Sequence, residues 1–600
     1  MTGETWGPDA VSSVALARHG GALLAFLLAE HGVQHVFGVP GGQTLALYDA
    51  ILDRQPGLRH VLVRDERTAA YAADAYARVT GSVGVCDATV GPGAAKLPSG
   101  LAEAFGASVP VLALVSDLPA RMAAHRYRSA ASQALDQAAL LAPVTKWQAH
   151  VPDIASMPVL VEQAFRVAVT GRPGPVVLFL PQDVLDGPAD KAWPAARPPA
   201  GRAGPPRFGV FPPFRPVPDS PDTAAAAAVL RQAARPYLLT GGGVLHSGAG
   251  PAVTALVERL SAAVGTTLTG KGVIAEGHPL SVGVVGAMGS AAATAALAEA
   301  DVVLLIGTKS SSGATKNWTL PRTDQTVLQL DIDPAELGRA FAVKVAMLGD
   351  ARAGAEALAG ELAAAGSAQA PEPDREPWRQ RLAELAASWR SQRDAERSSD
   401  ATPIAPQRVL AELERILRPG DLLVCDASLA SGWAGSYLEQ RAAGRRLLFP
   451  RGQAGLGYAL PAAIGAATAR PSGRVFVLAG DGAFGYAVGE LATVMEQRLP
   501  LTIVLLNNRS LGWIRWYRRI TFGRGWTEAD FADVAFADIA RAFGLRATRV
   551  TEPGRLAPAL EAAGAGTGPA LVDVVTDVWQ TPIAAHRDAV AHGIAAGYGE

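Results

Sequence analysis

Cysteine is almost missing: the 600 residues contain two, Cys86 and Cys425. That excludes a disulfide framework and a thiolate metal cluster. Cys425 ends an apolar run (residues 422–425) and reads as a small buried hydrophobe. An excess of either charge is missing as well. Fifty-four Lys and Arg face 55 Asp and Glu, a formal net charge of −1, so neither nucleic acid nor an anionic membrane is expected as the main partner. No apolar run reaches membrane-spanning length, and the opening MTGETWGPDA lacks a basic stretch followed by an apolar one. The chain therefore reads as cytoplasmic.

What is present is length and apolar residues. Six hundred residues, 49% of them hydrophobic, exceed what one core organises and favour three domains. Two linker-like stretches divide the chain. Residues 189–222 carry PAARPPAGRAGPPRFGVFPPFRPVPDSP, whose prolines oppose regular helix, and residues 366–377 (GSAQAPEPDREP) are shorter and polar. The expected division is an N-terminal domain over 1–188, a linker over 189–222, a central domain over 223–365, a linker and helix over 366–400, and a C-terminal domain over 401–600. Within each domain strand-like apolar runs alternate with amphipathic helices. Examples are 111–115 and 175–180, then 236–240, 301–306 and 327–332, then 421–425, 475–479 and 501–506. The pattern predicts an α/β fold of three doubly wound parallel-sheet domains.

The most informative stretch is 480–508, GDGAFGYAVGELATVMEQRLPLTIVLLNN. GDG follows one apolar strand, a helical segment places Leu491, Val494 and Met495 on one face, and a paired Asn follows a second strand. Asp481 and Asn508 then stand at the carboxyl ends of two parallel strands, where open α/β sheets bind ligands. One carboxylate and one amide oxygen are hard donors, suited to Mg²⁺ that shares its other positions with a diphosphate and water. A turn and a polar strand cap are the plainer alternative. Far upstream, RDERTAA (64–70) follows a strand and opens an Ala-rich helix, with Glu66 in its first turn. Alone, Glu66 is an acid favoured by the helix dipole.

Together these motifs resemble those of thiamine diphosphate (ThDP) enzymes of the acetolactate synthase-like and benzoylformate decarboxylase branch. Further signposts keep the family's order along essentially the whole chain: VFGVPGGQ (36–43), VGPGA (90–94), GRPGPVVLFLPQDV (171–184), LDIDPAELG (330–338) and GLGYALPAAIGA (455–466). The resemblance implies pyrimidine-binding, central and diphosphate-binding domains. It implies that Glu66 contacts the aminopyrimidine and favours the tautomer that takes the proton from thiazolium C2. Asp481, Asn508 and the main-chain carbonyl of Ser510 would hold Mg²⁺. Gly480, Gly482 and Ala483, with Ala427, Ser428 and Leu429, would surround the diphosphate, their free amides facing it. Pro40, Gly41, Pro92, Leu511 and Gly512 would complete the cofactor contacts. Leu456 would be the wedge that bends the cofactor, where many relatives have Met; a core Leu is the alternative.

Departures from the family pattern shape the expected reaction. The segment 89–99 lacks the His of decarboxylases with a His relay, and His19, His31, His246 and His592 read as surface or structural. Gln133 matches the Gln that acetolactate-type carboligases place by the cofactor, a helix cap being the alternative. Gly42, Gln43, Trp513 and Tyr517 would line the substrate pocket, Tyr517 where acetolactate synthase has Trp. The RFDDR-type segment of that enzyme is replaced by 307–313, GTKSSSG. That Ser-rich loop with Lys309 is either a cradle for a nucleotide, FAD, ADP or a CoA moiety, or a solvated loop. The expected activity is ThDP- and Mg²⁺-dependent decarboxylation and carboligation, joining the acyl unit of a 2-oxo acid to a second carbonyl compound. A 2-hydroxyacyl-CoA lyase or oxalyl-CoA-type decarboxylase, with an acyl-CoA substrate, is the alternative of the same class, and a catalytically silent regulatory relative that of another. The family places its site between two copies, so a homodimer or homotetramer is expected. The tail after Trp579, with His586 and Tyr598, is a candidate lid.

Overall fold

The computed structural model describes residues 19–54, 57–192, 207–364, 371–523 and 528–583. They form three six-stranded parallel sheets. The first contains β1 (His35–Gly38), β2 (Arg59–Leu62), β3 (Gly84–Ala88), β4 (Val111–Asp117), β5 (Trp147–His150) and β6 (Val176–Pro181). The second contains β7 (Pro236–Thr240), β8 (Ala263–Thr266), β9 (Ser281–Val284), β10 (Val302–Ile306), β11 (Thr326–Asp331) and β12 (Val345–Leu348). The third contains β13 (Leu422–Cys425), β14 (Leu447–Leu448), β15 (Val475–Gly480), β16 (Leu501–Asn507), β17 (Arg546–Val550) and β18 (Ala570–Val575). Their central strands are unbroken apolar runs, buried residue after residue in β4, β10 and β16. Strands covered by helices on both faces need that pattern.

Strand order separates the sheets into two plans. The first runs β2-β1-β3-β4-β6-β5 and the third β14-β13-β15-β16-β18-β17, the same order counted from each domain's own first strand. The second runs β12-β11-β10-β7-β8-β9, a dinucleotide-fold order whose direction reverses between β7 and β10. The reversals in the outer sheets lie between β1 and β3 and between β13 and β15. Loops at the carboxyl ends of those strands are therefore the places for ligands.

The outer domains dock within the chain through the helices Glu66–Thr80 and Ala459–Ala469. Gly465 is the contact point: a Cβ there would lie 2.0 Å from the Ala72 carbonyl oxygen, so only glycine admits this approach. Tyr71 and Tyr458 meet edge to face at 5.2 Å, and one hydrophobic cluster runs through both domains. The expected linkers hold some regular structure. A helix begins at Ser220, with Pro221 in its first turn where the missing N–H costs nothing, and a 22-residue helix begins at Glu376. Both cysteines are buried, and burial pushes their thiols well above the ordinary range. Among the described residues no helix is long and apolar enough to cross a membrane.

Candidate active site

In the third domain β15 delivers Asp481 to the mouth of the switch point. Its side chain is nearly buried, and both oxygens are engaged by main chain: Oδ1 accepts from Gly482 N at 2.9 Å and Oδ2 from Arg509 N at 2.6 Å. Burial pushes the carboxyl up to about 6 against the pull of those amides. Among the described ion pairs, none places Lys or Arg on Asp481. Asn508 follows β16, and its Oδ1 accepts from Ser510 N at 3.1 Å. The 509–511 turn is pinned by main-chain bonds from Leu511 N to Ala529 O and from Phe531 N to Arg509 O, each 2.7 Å. Gly512 fits tightly behind it: a Cβ would lie 2.8 Å from Asn508 Nδ2 and 2.7 Å from Leu429 Cδ1.

The facing wall is the turn after β13. Ala427, Ser428 and Leu429 open the helix Leu429–Tyr437, and Ser428 adopts φ 63°, ψ −137°, a strained conformation for a residue with a side chain. Leu456 comes from the turn before the helix Ala459–Ala469. One small cleft of about 50 Å³ collects Ala427, Ser428, Leu429, Leu456, Gly480, Asp481, Gly482, Ala483, Asn508, Ser510, Leu511 and Gly512. Every cofactor candidate from the third domain thus shares one space. Sequence reasoning missed its other lining residues, Pro406, Ala430, Trp433, Leu506, Thr576, Asp577 and Gln580, which carry no motif. Trp513 and Tyr517 sit on the adjoining helix Gly512–Phe522 outside that lining, Tyr517 well exposed.

No cluster of three or more His, Cys, Asp or Glu that could hold a metal occurs among the described residues. Asp481, Asn508 and the Ser510 carbonyl are a fitting but incomplete oxygen set. A divalent cation held there takes its remaining oxygens from a ligand, as a metal shared with a diphosphate does. The uncompensated Asp481 and the buried, unpartnered Ser510 Oγ accord with a polar group entering the cleft.

The first domain builds the other cluster. Asp65 caps the helix Glu66–Thr80 through Arg67 N at 2.8 Å, placing Glu66 in its first turn with 4% of its surface exposed. Lys96 Nζ is 3.2 Å from Glu66 Oε2 but outside hydrogen-bonding geometry, so the contact is electrostatic and Oε2 lacks a donor. A buried carboxylate oxygen without a donor suits a ring nitrogen that shares a proton. Pro40, Gly41, Gly42 and Gln43 follow β1, and Pro92 lies in the turn after β3. Thr89 Oγ1 donates to Gln43 Oε1 at 2.9 Å, and Gln43 Nε2 to Gln133 Oε1 at 3.4 Å. Gln133 is no helix cap: it sits at φ 64° in an irregular stretch, its carbonyl against Gly91. The buried Gln137, missed in the sequence, holds this turn by accepting from Gly91 N (3.0 Å) and donating to Ser116 O (3.1 Å).

Glu66 does not line the cleft of Asp481. Within one chain the two domains meet beside Glu66 instead: Arg64 N donates to Glu490 at 3.0 and 3.2 Å, and Arg67 donates to the Tyr486 carbonyl at 2.8 Å. Of the histidines, His31 is buried and bonded to Leu27 O and Glu162. His592 and the candidate lid residues His586 and Tyr598 lie outside the described residues.

At the switch point of the second sheet is a cavity of about 1180 Å³, shared with the first and third domains. Gly243 and Gly307 approach so closely that a Cβ on Gly243 would lie 2.9 Å from Gly307 Cα. Lys309 reaches into the cavity wall and donates to Gly106 O at 2.5 Å, so part of its bonding capacity ties two domains together. Arg78, Arg172, Arg207, Arg215, Arg445 and Arg451 also line the space. Burial and the neighbouring Arg78 bring Arg445 down to about 9, and burial with Arg172 lowers Lys309.

Comparison with known proteins gives concordant matches. Three family models match in order: the thiamine pyrophosphate enzyme N-terminal TPP binding domain over 18–140, the central domain over 223–358, and the C-terminal TPP binding domain over 426–574. A probable acetolactate synthase large subunit of Methanocaldococcus jannaschii is 34% identical, covering 93% of this chain and 91% of its own. An acetolactate synthase of Arthrospira platensis is 33% identical over 91% and 92%. An acetolactate synthase large subunit of Corynebacterium glutamicum is 32% identical over 89% and 83%.

Proposed function

The chain belongs to the thiamine pyrophosphate (thiamine diphosphate) enzyme family, and on that premise we propose a ThDP- and Mg²⁺-dependent decarboxylase–carboligase that transfers the acyl unit of a 2-oxo acid to a second carbonyl compound. One observation carries this reading: Asp481 is buried, without a Lys or Arg partner among the described residues, and gathered with Asn508, Ser510 and the 427–429 turn at a sheet switch point. Asp481, Asn508 and the Ser510 carbonyl would hold the metal. Amides of Ser428, Leu429 and Ala483 would bind the diphosphate, those of Ala427 and Gly482 being taken by Asp426 and Asp481, and Leu456 would set the bend. When bound, the cofactor supplies a carbanion-stabilising thiazolium. Glu66, through its donor-free Oε2, would hold the shared proton at the pyrimidine ring and so set the basicity near C2. Gln133, oriented by Gln43, would offer its amide to an oxygen of the substrate.

Glu66 lies outside the Asp481 cleft of its own chain, so the complete site takes Glu66 from one copy and Asp481 from another, in a homodimer or a tetramer of such dimers. The working domains are those bounded at 188, 223, 365 and 401, acting in the cytoplasm. The central cavity favours a second cofactor. A dinucleotide-type switch point, close glycines and clustered, partly buried cations suit an anionic nucleotide, FAD or ADP.

The test is product mass analysis with ThDP, Mg²⁺ and pyruvate or benzoylformate, with and without an aldehyde or second 2-oxo acid. A carboligation product supports the proposal. Carbon dioxide released only from a CoA thioester replaces it with the acyl-CoA reading, and failure to bind ThDP overturns it. Absorbance and mass of material released on denaturation decide between flavin, ADP and an empty central cavity.

A further inference from the structure

We infer that Asp426 is a positioning residue, a single buried carboxylate that fixes the diphosphate turn and the Leu456 turn relative to each other. Asp426 follows β13 with 1% of its surface exposed. Its Oδ1 accepts from Ala427 N at 2.8 Å and from Gly457 N at 3.0 Å, and its Oδ2 accepts from Ala459 N at 2.8 Å. One amide belongs to the turn proposed to cradle diphosphate, and the other two, Gly457 and Ala459, lie directly after Leu456. The inference rests on the reading of Leu456 as the wedge.

Main-chain bonds extend the assembly. Asp426 N donates to Leu478 O at 2.8 Å, joining it to the strand that delivers Asp481, and Ser431 Oγ donates to the Asp426 carbonyl at 2.5 Å. Gly457 can hold its place only as glycine: it has φ 83°, and a Cβ would lie 2.6 Å from the Tyr486 Cβ.

A second carboxylate, from the first domain, holds the other end of the same turn. Glu103, also 1% exposed, accepts from Gly452 N and Gln453 N at 2.7 Å each and from Ala454 N at 3.3 Å. Leu456 therefore hangs between two anchored points, Glu103 before it and Asp426 after it. The two anchors differ in kind. Glu103 is paired with Arg78 at 3.3 Å. No ion pair is described for Asp426, whose charge is met by amide dipoles; burial pushes its carboxyl up to about 6 against them. A carboxylate kept in the core without a counter-ion is costly. Its geometric work, two oxygens for three amides from two turns, is what a neutral side chain of the same size cannot repeat. Asparagine has one acceptor oxygen and would turn N–H groups toward Ala427 and Gly457 or toward Ala459.

The test has a readout in the protein without cofactor. In the wild-type apoprotein the amides of Gly457 and Ala459, although outside strands, should resist hydrogen exchange as well as neighbouring β15; rapid exchange there overturns the inference. In Asp426→Asn, exchange in the peptide covering 455–460 should rise by about tenfold or more, the equivalent of one lost charge-assisted hydrogen bond. With ThDP and Mg²⁺ added, the Kd for ThDP should rise and cofactor C2 proton exchange should slow by a similar factor. Asp426→Glu, which keeps both oxygens, should recover part of the amide protection; it also serves if the Asn variant does not fold. Leu456→Ala separates the two readings. It should slow C2 exchange while leaving apoprotein amide exchange at 457 and 459 unchanged. If Leu456→Ala leaves C2 exchange intact, the wedge reading fails. If Leu456→Ala slows it while both Asp426 variants leave amide protection, ThDP affinity and C2 exchange unchanged, the inference on Asp426 fails.

Discussion

The Tyr458 hydroxyl donates to Asp74 Oδ2 at 2.8 Å, both side chains fully buried between the first and third domains. Asp74 Oδ1 also accepts from Arg78 Nη2 at 3.0 Å, and Arg78 continues to Glu103 and to the Phe449 carbonyl. Tyr458 stands two residues after Leu456, so this polar chain joins domain docking to the wall of the proposed site.

Tyr458→Phe leaves one lone pair of a buried Asp74 without its hydroxyl donor. The expected cost is about 1–3 kcal/mol of stability, read as a lower denaturant midpoint with unchanged slope. An unchanged midpoint would mean that Arg78 alone satisfies Asp74.

Glu66→Gln keeps the shape but not the shared proton. ThDP affinity should change by only a few-fold while turnover falls by roughly 100-fold or more. Asp481→Ala should instead abolish Mg²⁺-dependent ThDP binding. Mixing the two inactive variants after subunit exchange should restore part of the activity, because some dimers then own one intact site; no recovery would place both residues in one copy's site.

Gly512→Ala places a methyl 2.7–2.8 Å from Leu429 and Asn508. Metal-dependent ThDP binding should weaken by at least about tenfold. Equal affinity in isothermal titration would show that the turn relaxes freely.

Asp331 lines the central cavity, and burial holds its carboxyl up to about 6, opposed by the Asp333 amide. The unfolded chain loses this proton near the ordinary aspartate value of 3.8, so the folded state binds the extra proton between about 4 and 6. Raising pH through that window removes stability; below it the group contributes no dependence. Asp426 and Asp481 titrate in the same window, so the readout is a difference. Asp331→Asn should lose less stability than wild type between pH 4 and 6, and parallel melting curves would refute the assignment.

The three-sheet plan was legible because its signals are local. Apolar runs such as 475–479 and 501–506 report burial on both faces, and glycine turns report where strands end. Glu66, Asp481 and Asn508 were legible for the same reason, each being a short motif on a strand or helix end. Gln137 was not, since its partners are 46 and 21 residues away and nothing in QALDQAALL marks the second Gln as buried.

The sequence by itself determined the α/β class, the order of the three domains and the residue types at the strand ends, since these follow from period and turn chemistry. Only the tertiary structure decided the rest. It set the two outer sheets to one strand order and the middle sheet to another, placed six arginines around one cavity, and left Glu66 outside the cleft of its own Asp481. It also turned Asp426 and Glu103, two unremarkable acids 323 positions apart by their numbers, into the anchors of one turn. Such pairings depend on which amides a fold brings to a buried carboxylate, and the cost of leaving that charge unsolvated is what selects them.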